Sequence, residues 1–216
     1  MQQIDTAAIQ RCGIPRLLLM EHAGLAVARA VQRLLPDTQT SVVVCCGTGY
    51  NGGDGLCAAR HLHEWGYSLS ILITGQIAHL REEPAIYATI LQRLGLPILE
   101  FSDARALGQV DQWLAACGVV IDALLGSGVR GPVREPTASL IARMNQVGKP
   151  IVSVDIPSGL DGDTGCVQGV AVNATVTVTF GLAKRGCLMQ DGPAHTGTLI
   201  VDPITIPRRL LESTPT

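Results

Sequence analysis

Three aspartates and two glycine-rich segments carry the residue types that could do chemistry in this 216-residue chain. The first segment is Cys46-Gly47-Thr48-Gly49-Tyr50-Asn51-Gly52-Gly53-Asp54-Gly55. It follows an apolar, β-branched run from Ser41 to Cys46 and precedes a helical pattern from Leu56 to Trp65, so strand, glycine turn, helix is the local plan. Glycines let a backbone turn sharply and approach a ligand where a Cβ would clash, and the amides that open a helix can hold an anion. The stretch is therefore expected to grip a phosphate. Gly47-x-Gly49-x-x-Gly52 has the form and setting of a dinucleotide fingerprint. The acid that would hold a ribose hydroxyl is missing from Ile71-Leu72-Ile73-Thr74-Gly75-Gln76, which weakens a nicotinamide dehydrogenase. Gly53-Asp54 stands where a P-loop needs Gly-Lys.

Asp54 near a helix start is favoured by the helix dipole and alone reads as a stabilised terminus. Asp122 and Asp155 end two further apolar runs, Gly118 to Asp122 and Pro150 to Asp155. Like charges gathered at one edge raise one another's pKa or recruit a cation, so this edge is expected to carry a metal ion, a carboxylate tuned for proton transfer, or both. The second segment, Gly126-Ser127-Gly128-Val129-Arg130-Gly131-Pro132, adds a guanidinium that fits phosphate oxygens bidentately. Two such loops suit a ligand with two phosphates, or with a phosphate at each end. Pro157 restrains itself and Ile156, holding Asp155 and Ser158 in fixed relation. Lys184 could reach a phosphate, although an exposed loop lysine is the plainer reading.

The elements that must position these groups alternate. Apolar periodicity predicts helices over Ile14 to Leu35 (apolar at Met20, Ala23, Val27, Val31 and Leu34), Leu56 to Trp65, Glu82 to Leu94, Ala104 to Ala116 and Thr137 to Gln146. Strands are predicted at Ser41 to Cys46, Ser68 to Thr74, Pro97 to Glu100, Gly118 to Asp122 and Pro150 to Asp155. The Val- and Thr-rich stretch from Val167 to Phe180 and a strand at Thr198 to Asp202 extend the sheet, with antiparallel pairing admitted there. Such alternation predicts an α/β fold with a mostly parallel sheet covered on both faces. The ligand crevice then lies beyond the carboxyl ends of the strands, where the glycine turn, Asp122 and Asp155 fall. With no linker dividing it, residues 1–216 read as one domain.

An apolar fraction of 47% and a net charge of −2 exclude the basic footprint of a nucleic-acid binder and point to a small-molecule partner. Apolar runs are too short to span a bilayer, and Met1-Gln2-Gln3-Ile4-Asp5 lacks the basic start of a secretory signal, so a soluble, cytoplasmic protein is expected. Seven cysteines without a C-x-x-C pair support neither a disulfide framework nor a zinc site and read as buried, reduced thiols. His61 and His63, two apart on a helix, point away from each other.

Taken in order, Tyr50-Asn51-Gly52-Gly53-Asp54-Gly55, Val120-Ile121-Asp122-Ala123-Leu124-Leu125-Gly126-Ser127-Gly128, Val154-Asp155-Ile156-Pro157-Ser158-Gly159 and Phe180-Gly181-Leu182-Ala183-Lys184 resemble the YjeF N-terminal domain family, the NAD(P)H-hydrate epimerases. The resemblance runs from Leu19-Met20-Glu21-His22-Ala23-Gly24 to Val201. It implies a Rossmann-like three-layer αβα sandwich and interconversion of the R and S forms of hydrated NADH or NADPH (NAD(P)HX), with the dinucleotide as substrate. By motif, Tyr50, Asn51, Gly52, Gly53 and Asp54, and Gly126 through Ser127, Gly128, Val129, Arg130 and Gly131 to Pro132, would line the substrate. Asp155 would touch it near the reacting ring as the catalytic group. Asn51, Asp122 and Ser158 match ligands of one potassium ion (K+) per subunit. Tyr50 stands where the family commonly has Asn. A NAD(P)H-hydrate dehydratase acting in the same pathway and a homodimeric assembly are the further partners expected. Two other readings stay open: a non-catalytic nucleotide-binding or scaffolding module of this fold, in which such motifs degrade, and an ordinary NAD(P)-dependent oxidoreductase.

Overall fold

In a computed structural model of the chain, the described residues are 2–102, 107–128 and 130–212. Seven strands form one sheet: Val42–Cys46 (β1), Leu69–Ile73 (β2), Ile98–Glu100 (β3), Val119–Ala123 (β4), Ile151–Val154 (β5), Val176–Phe180 (β6) and Thr198–Asp202 (β7). Their order is β3-β2-β1-β4-β5-β6-β7, and every pairing is parallel. The helices are Gln2–Cys12 (α1), Arg16–Leu34 (α2), Tyr50–Glu64 (α3), Glu82–Arg93 (α4), Leu107–Ala116 (α5), Thr137–Gln146 (α6), Gly192–Thr196 (α7) and Arg208–Glu212 (α8).

Antiparallel pairing of the late strands is not what forms. Parallel neighbours need a crossover rather than a tight hairpin, and the chain between β6 and β7 supplies one, with a short 3-10 turn at Arg185–Cys187 followed by α7. Among the described residues the antiparallel contact is the isolated bridge from Leu160 to Val167.

The central strands β1, β4, β5 and β6 are buried on both faces, which is why β1, β4 and β5 read as continuous apolar runs. Val42, Val44 and Cys46 of β1 join Met20, Ala23, Val27 and Val31 of α2 in one core, while Val43 and Cys45 meet Leu114, Leu140, Ile141 and Met144 of α5 and α6 in the other. Helices thus cover both faces of the sheet in three layers. Leu34, in the last turn of α2, is exposed. Five of the seven cysteines are buried, while Cys12 is half-buried and Cys166 exposed. No helix among the described residues is long and apolar enough to cross a membrane.

Two departures matter for the site. First, α3 begins at Tyr50 rather than Leu56, so most of the glycine segment is helix. Glycine costs roughly 1 kcal/mol in a helix interior, but here space demands it: a Cβ on Gly52 would lie 2.0 Å from the Gly47 carbonyl oxygen, and one on Gly53 2.7 Å from Met20 Cε. Second, α1 packs Ile4 and Ala8 into the core beneath a polar face. The predicted helix from Ala104 is described only from Leu107.

The sheet order also fixes where a crevice opens. From β1 the chain builds outward through β2 to β3, then returns with β4 on the other side of β1. That reversal is the switch point at which open α/β sheets bind ligands. The turns leaving β1 and β4 part there.

Candidate active site

A cavity of about 770 Å³ opens at that switch point, within the size range of small-molecule sites. The turn after β1 lines it with Gly47, Thr48 and Gly49, α3 with Tyr50, Asn51 and Asp54, and the segment after β4 with Leu124 to Gly128. Asp155 and Lys184 form its polar end, and Asp5, Thr6 and Ile9 of α1 close one side.

Asp155 follows β5 directly and holds a left-handed backbone (φ 64°), a conformation that aspartate tolerates better than most residues. The turn swings its side chain across the end of β6. There Lys184 Nζ donates to Asp155 Oδ1, the Phe180 amide donates at 3.3 Å, and Lys184 also donates to the Phe180 carbonyl at 2.9 Å. The side chains of Lys184 and Asp155 are 6% and 15% exposed. Lys184 is therefore no exposed loop lysine: four residues beyond β6 the chain folds back and buries it against Asp155. No spacing rule in the sequence marks that return.

Asp122 does not share the cavity with Asp155. It precedes the last residue of β4, points to the face opposite Ala123, and is fully buried. Its oxygens accept from Ser153 Oγ at 2.8 Å, Ser158 N at 2.9 Å and Ser158 Oγ at 2.5 Å. Burial pushes its carboxyl up from the usual range, while the Ser158 and Ser153 hydrogen bonds offset part of the rise. Ser158 Oγ also takes the Leu125 amide at 2.9 Å, and Asn51 Nδ2 donates to the Leu125 carbonyl at 3.1 Å. Asn51 and Ser158 thus both bond Leu125 of the cavity lining, and Asp122 bonds Ser158. Their donor set is all oxygen apart from amide nitrogen, the chemistry that suits a hard cation.

Asp54 is half-buried on the second turn of α3, and among the described residues no protein group hydrogen-bonds its carboxyl. Burial first, then the negative charge of Asp155, raises its pKa well above the usual carboxylate range, against the pull of Lys184. At the rim, Tyr50 is exposed, with the Arg16 guanidinium 4.4 Å from its ring centroid and its hydroxyl bonded to Arg16 and Glu82. Tyr50 is the one exposed residue among the described Phe, Trp and Tyr residues.

The profile of the family described as "YjeF-related protein N-terminus" matches residues 16–186. The chain belongs to this family. A relative named "Bifunctional NAD(P)H-hydrate repair enzyme Nnr", from Pyrobaculum aerophilum, is 46% identical over 90% of the chain, which spans 38% of that protein. One named "NAD(P)H-hydrate epimerase", from Limosilactobacillus fermentum, is 40% identical over 93% of the chain and 92% of its own length. The crystal structure of yeast ynu0, YNL200c, superposes with a TM-score of 0.82 at 28% identity, covering 97% of this chain and 88% of the yeast chain.

Not every residue that the YjeF motifs suggest for the substrate faces the cavity. Gly52 and Gly53 are buried, and their free sides pack on Gly47 and on Met20 rather than on a ligand. Arg130, Gly131 and Pro132 lie outside the lining; Arg130 is exposed and donates to Asp163 Oδ2 at 2.8 Å and to the Ser127 carbonyl at 3.0 Å. A nearby carboxylate captures the guanidinium that the loop was expected to offer to phosphate. Val129 lies outside the described residues. Asp5, Arg16 and Lys184, all in the cavity, are the charged lining residues that sequence reasoning left out of the site. Asp5 had a faint signal, since Ile4 and Ala8 stand one helical turn apart.

Proposed function

We propose that this chain interconverts the R and S forms of hydrated NADH and NADPH, repairing a damaged cofactor. The observation that carries the reading is the Asp155–Lys184 pair at the polar end of a cavity opened at the switch point. The names of its YjeF relatives, NAD(P)H-hydrate epimerase among them, support it. The hydroxylated ring carbon must break and remake a bond, and either iminium formation or ring opening requires a positioned acid or base. Asp155 is that group. The first amides of α3, at Tyr50 and Asn51, and the backbone of Gly126 to Gly128 would hold phosphate.

Asn51, Asp122 and Ser158 would hold K+, whose charge would fix the loops that carry the substrate. A K+ titration of thermal stability tests this: wild type gains stability over an equal concentration of Na+, and Ser158→Ala does not. We further propose that the protein works as a cytoplasmic homodimer beside a NAD(P)H-hydrate dehydratase, the second activity implied by its bifunctional relatives. Sedimentation measures the dimer. The deciding assay adds purified protein to the R-form hydrate and follows the approach to the R/S equilibrium by chromatography. Acceleration over the spontaneous rate is expected; none would leave a binding module of this fold as the better description.

A further inference from the structure

Asp54 and Asp5 are cavity-lining carboxyls without a hydrogen-bond partner among the described residues, in contrast to Asp155 and Asp122. Only donors surround Asp155: the Lys184 ammonium, the Phe180 amide and, at 3.4 Å, the Thr179 hydroxyl. That is the setting of a carboxylate that accepts. None of the described residues hydrogen-bonds Asp54, so its carboxyl is left for a ligand. Asp54 belongs to α3, whose Gly55 packs on Ala123 at the end of β4, while Asp155 follows β5, and the two carboxyls line one cavity.

We propose that Asp54 is the acid that protonates the substrate's departing hydroxyl, and that Asp5 of α1, from outside the stretch matched to the family, is its positioning partner. This rests on the epimerase reading. The proton on Asp54 moves to the hydroxyl oxygen, the C–O bond breaks with its electron pair leaving as water, and the ring-nitrogen lone pair closes the C=N bond of an iminium. Water then adds to the opposite face and gives its proton to the Asp155 carboxylate. Exchange of one proton with solvent at each carboxyl restores both, and no oxidant or reductant is needed. An epimerase must run this path in both directions, which calls for two groups that can trade roles.

Charges around Asp54 fit the assignment. Asp5 of α1, Asp155 after β5 and Lys184 beyond β6 act on it, and it acts on Cys46 of β1 and Cys57 of α3, while Arg16 of α2 faces Asp5. Burial and the negative neighbours outweigh Lys184 and push the carboxyl well above the usual carboxylate range, the direction a general acid needs. Burial raises the Asp5 carboxyl too, against the pull of Lys184, and the Asp5 charge acts on Asp54.

The test is a pH series of the R-to-S assay. Wild-type kcat should fall at alkaline pH as Asp54 loses its proton. Asp54→Asn should lower kcat by about 10²–10⁴, change KM less than about threefold, and abolish the alkaline fall. Asp5→Asn should keep activity at acid pH and move the fall to lower pH, a shift that loss of packing alone would not produce. Wild type no faster than the spontaneous reaction overturns the epimerase reading and this assignment with it. An active wild type whose Asp54→Asn variant keeps its kcat, or its alkaline fall, overturns the assignment alone. Should the variant fail to fold, a 13C titration of the wild-type aspartate carboxyls decides: Asp54 protonated near neutral pH is expected, and ordinary titration rejects the role.

Discussion

Along one stripe of α3, Asp54, Cys57 and His61 stand at successive turns, yet the two ends of the stripe are built in opposite ways. At the far end, Glu21 of α2 accepts Tyr87 OH of α4 at 2.6 Å, pairs with Arg60, and lies 3.0 Å from His61 Nε2 and 3.5 Å from Cys57 Sγ. Burial works to raise the Glu21 carboxyl, but the Tyr87 hydrogen bond and the Arg60 and His61 charges outweigh it and hold the group below its ordinary value. Glu21, Cys57 and His61 are also close enough together to share a metal ion, but the Arg60 guanidinium already supplies the cation. At the cavity end, Asp54 has no hydrogen-bond partner among the described residues and its pKa is raised. A carboxylate with every partner in place fastens three helices; one with none is a cost to the fold, and such costs persist at sites that act on ligands.

The largest effects should come from the cavity's own ion pair. Asp155→Asn should cut kcat by about 10²–10⁴ with substrate binding largely kept, as measured by single-turnover assay and titration calorimetry; an unimpaired rate removes Asp155 from the mechanism. Lys184→Met should be worse for the fold, because it strands a carboxylate that is 15% exposed. Breaking such a pair from one side costs about 3–5 kcal/mol, readable as a lower urea midpoint. A neutral result would show that water replaces the ammonium without loss.

Glu21→Gln tests the other end. It should lower stability by about 1–2 kcal/mol, the worth of charged hydrogen bonds discounted for partial exposure, while kcat and KM stay within about twofold. The pH dependence has a definite sign. A depressed carboxyl contributes stability above its unfolded pKa and loses it as pH falls through the folded pKa, so wild type should lose more stability on acidification than Glu21→Gln does. A parallel acid limb in both would break the comparison.

Asp54→Asn should do the reverse, and by less. A raised carboxyl contributes stability below its unfolded pKa that is lost as pH rises through the folded pKa, so at neutral and alkaline pH the wild type carries a penalty that the amide removes. A gain of about 0.5–2 kcal/mol is expected, as a higher melting temperature that grows toward alkaline pH. A lower one would mean that Asp54 has partners in solution and belongs with Glu21.

The fold was largely legible because its central strands are buried on both faces. β1, β4 and β5 read as apolar runs, and α6 and β7 fall on their predicted bounds. The start of α3 was not, because helix propensity argues against Gly52 and Gly53 and only packing against Gly47 and Met20 explains them. In the site, Asp155 and Asp54 were legible from their places at a strand end and a helix start. Asp122 lies at the carboxyl end of β4 as read, one residue inside the strand and outside the cavity lining, where the apolar run continues through Ala123, Leu124 and Leu125. Lys184 stayed hidden because its meaning depends on a fold-back that no local pattern encodes.

The smallest effect is expected at Arg130, which tests whether a captured charge can still serve the ligand. Its guanidinium and Asp163 are 60% and 75% exposed, and pairs that open to water contribute about 0–1 kcal/mol. Arg130→Gln should therefore leave the melting temperature nearly unchanged, and KM within about twofold, since the side chain lies outside the cavity lining. The instructive outcome would be a large rise in KM at low salt that fades as salt is added. Asp163 would then be holding the guanidinium only until a phosphate competes for it, and the segment after β4 would belong to the substrate side of the comparison after all. Asp163→Asn separates the two cases: if Arg130 is held in reserve, freeing it should lower KM, and if it is only a surface pair, KM should not move.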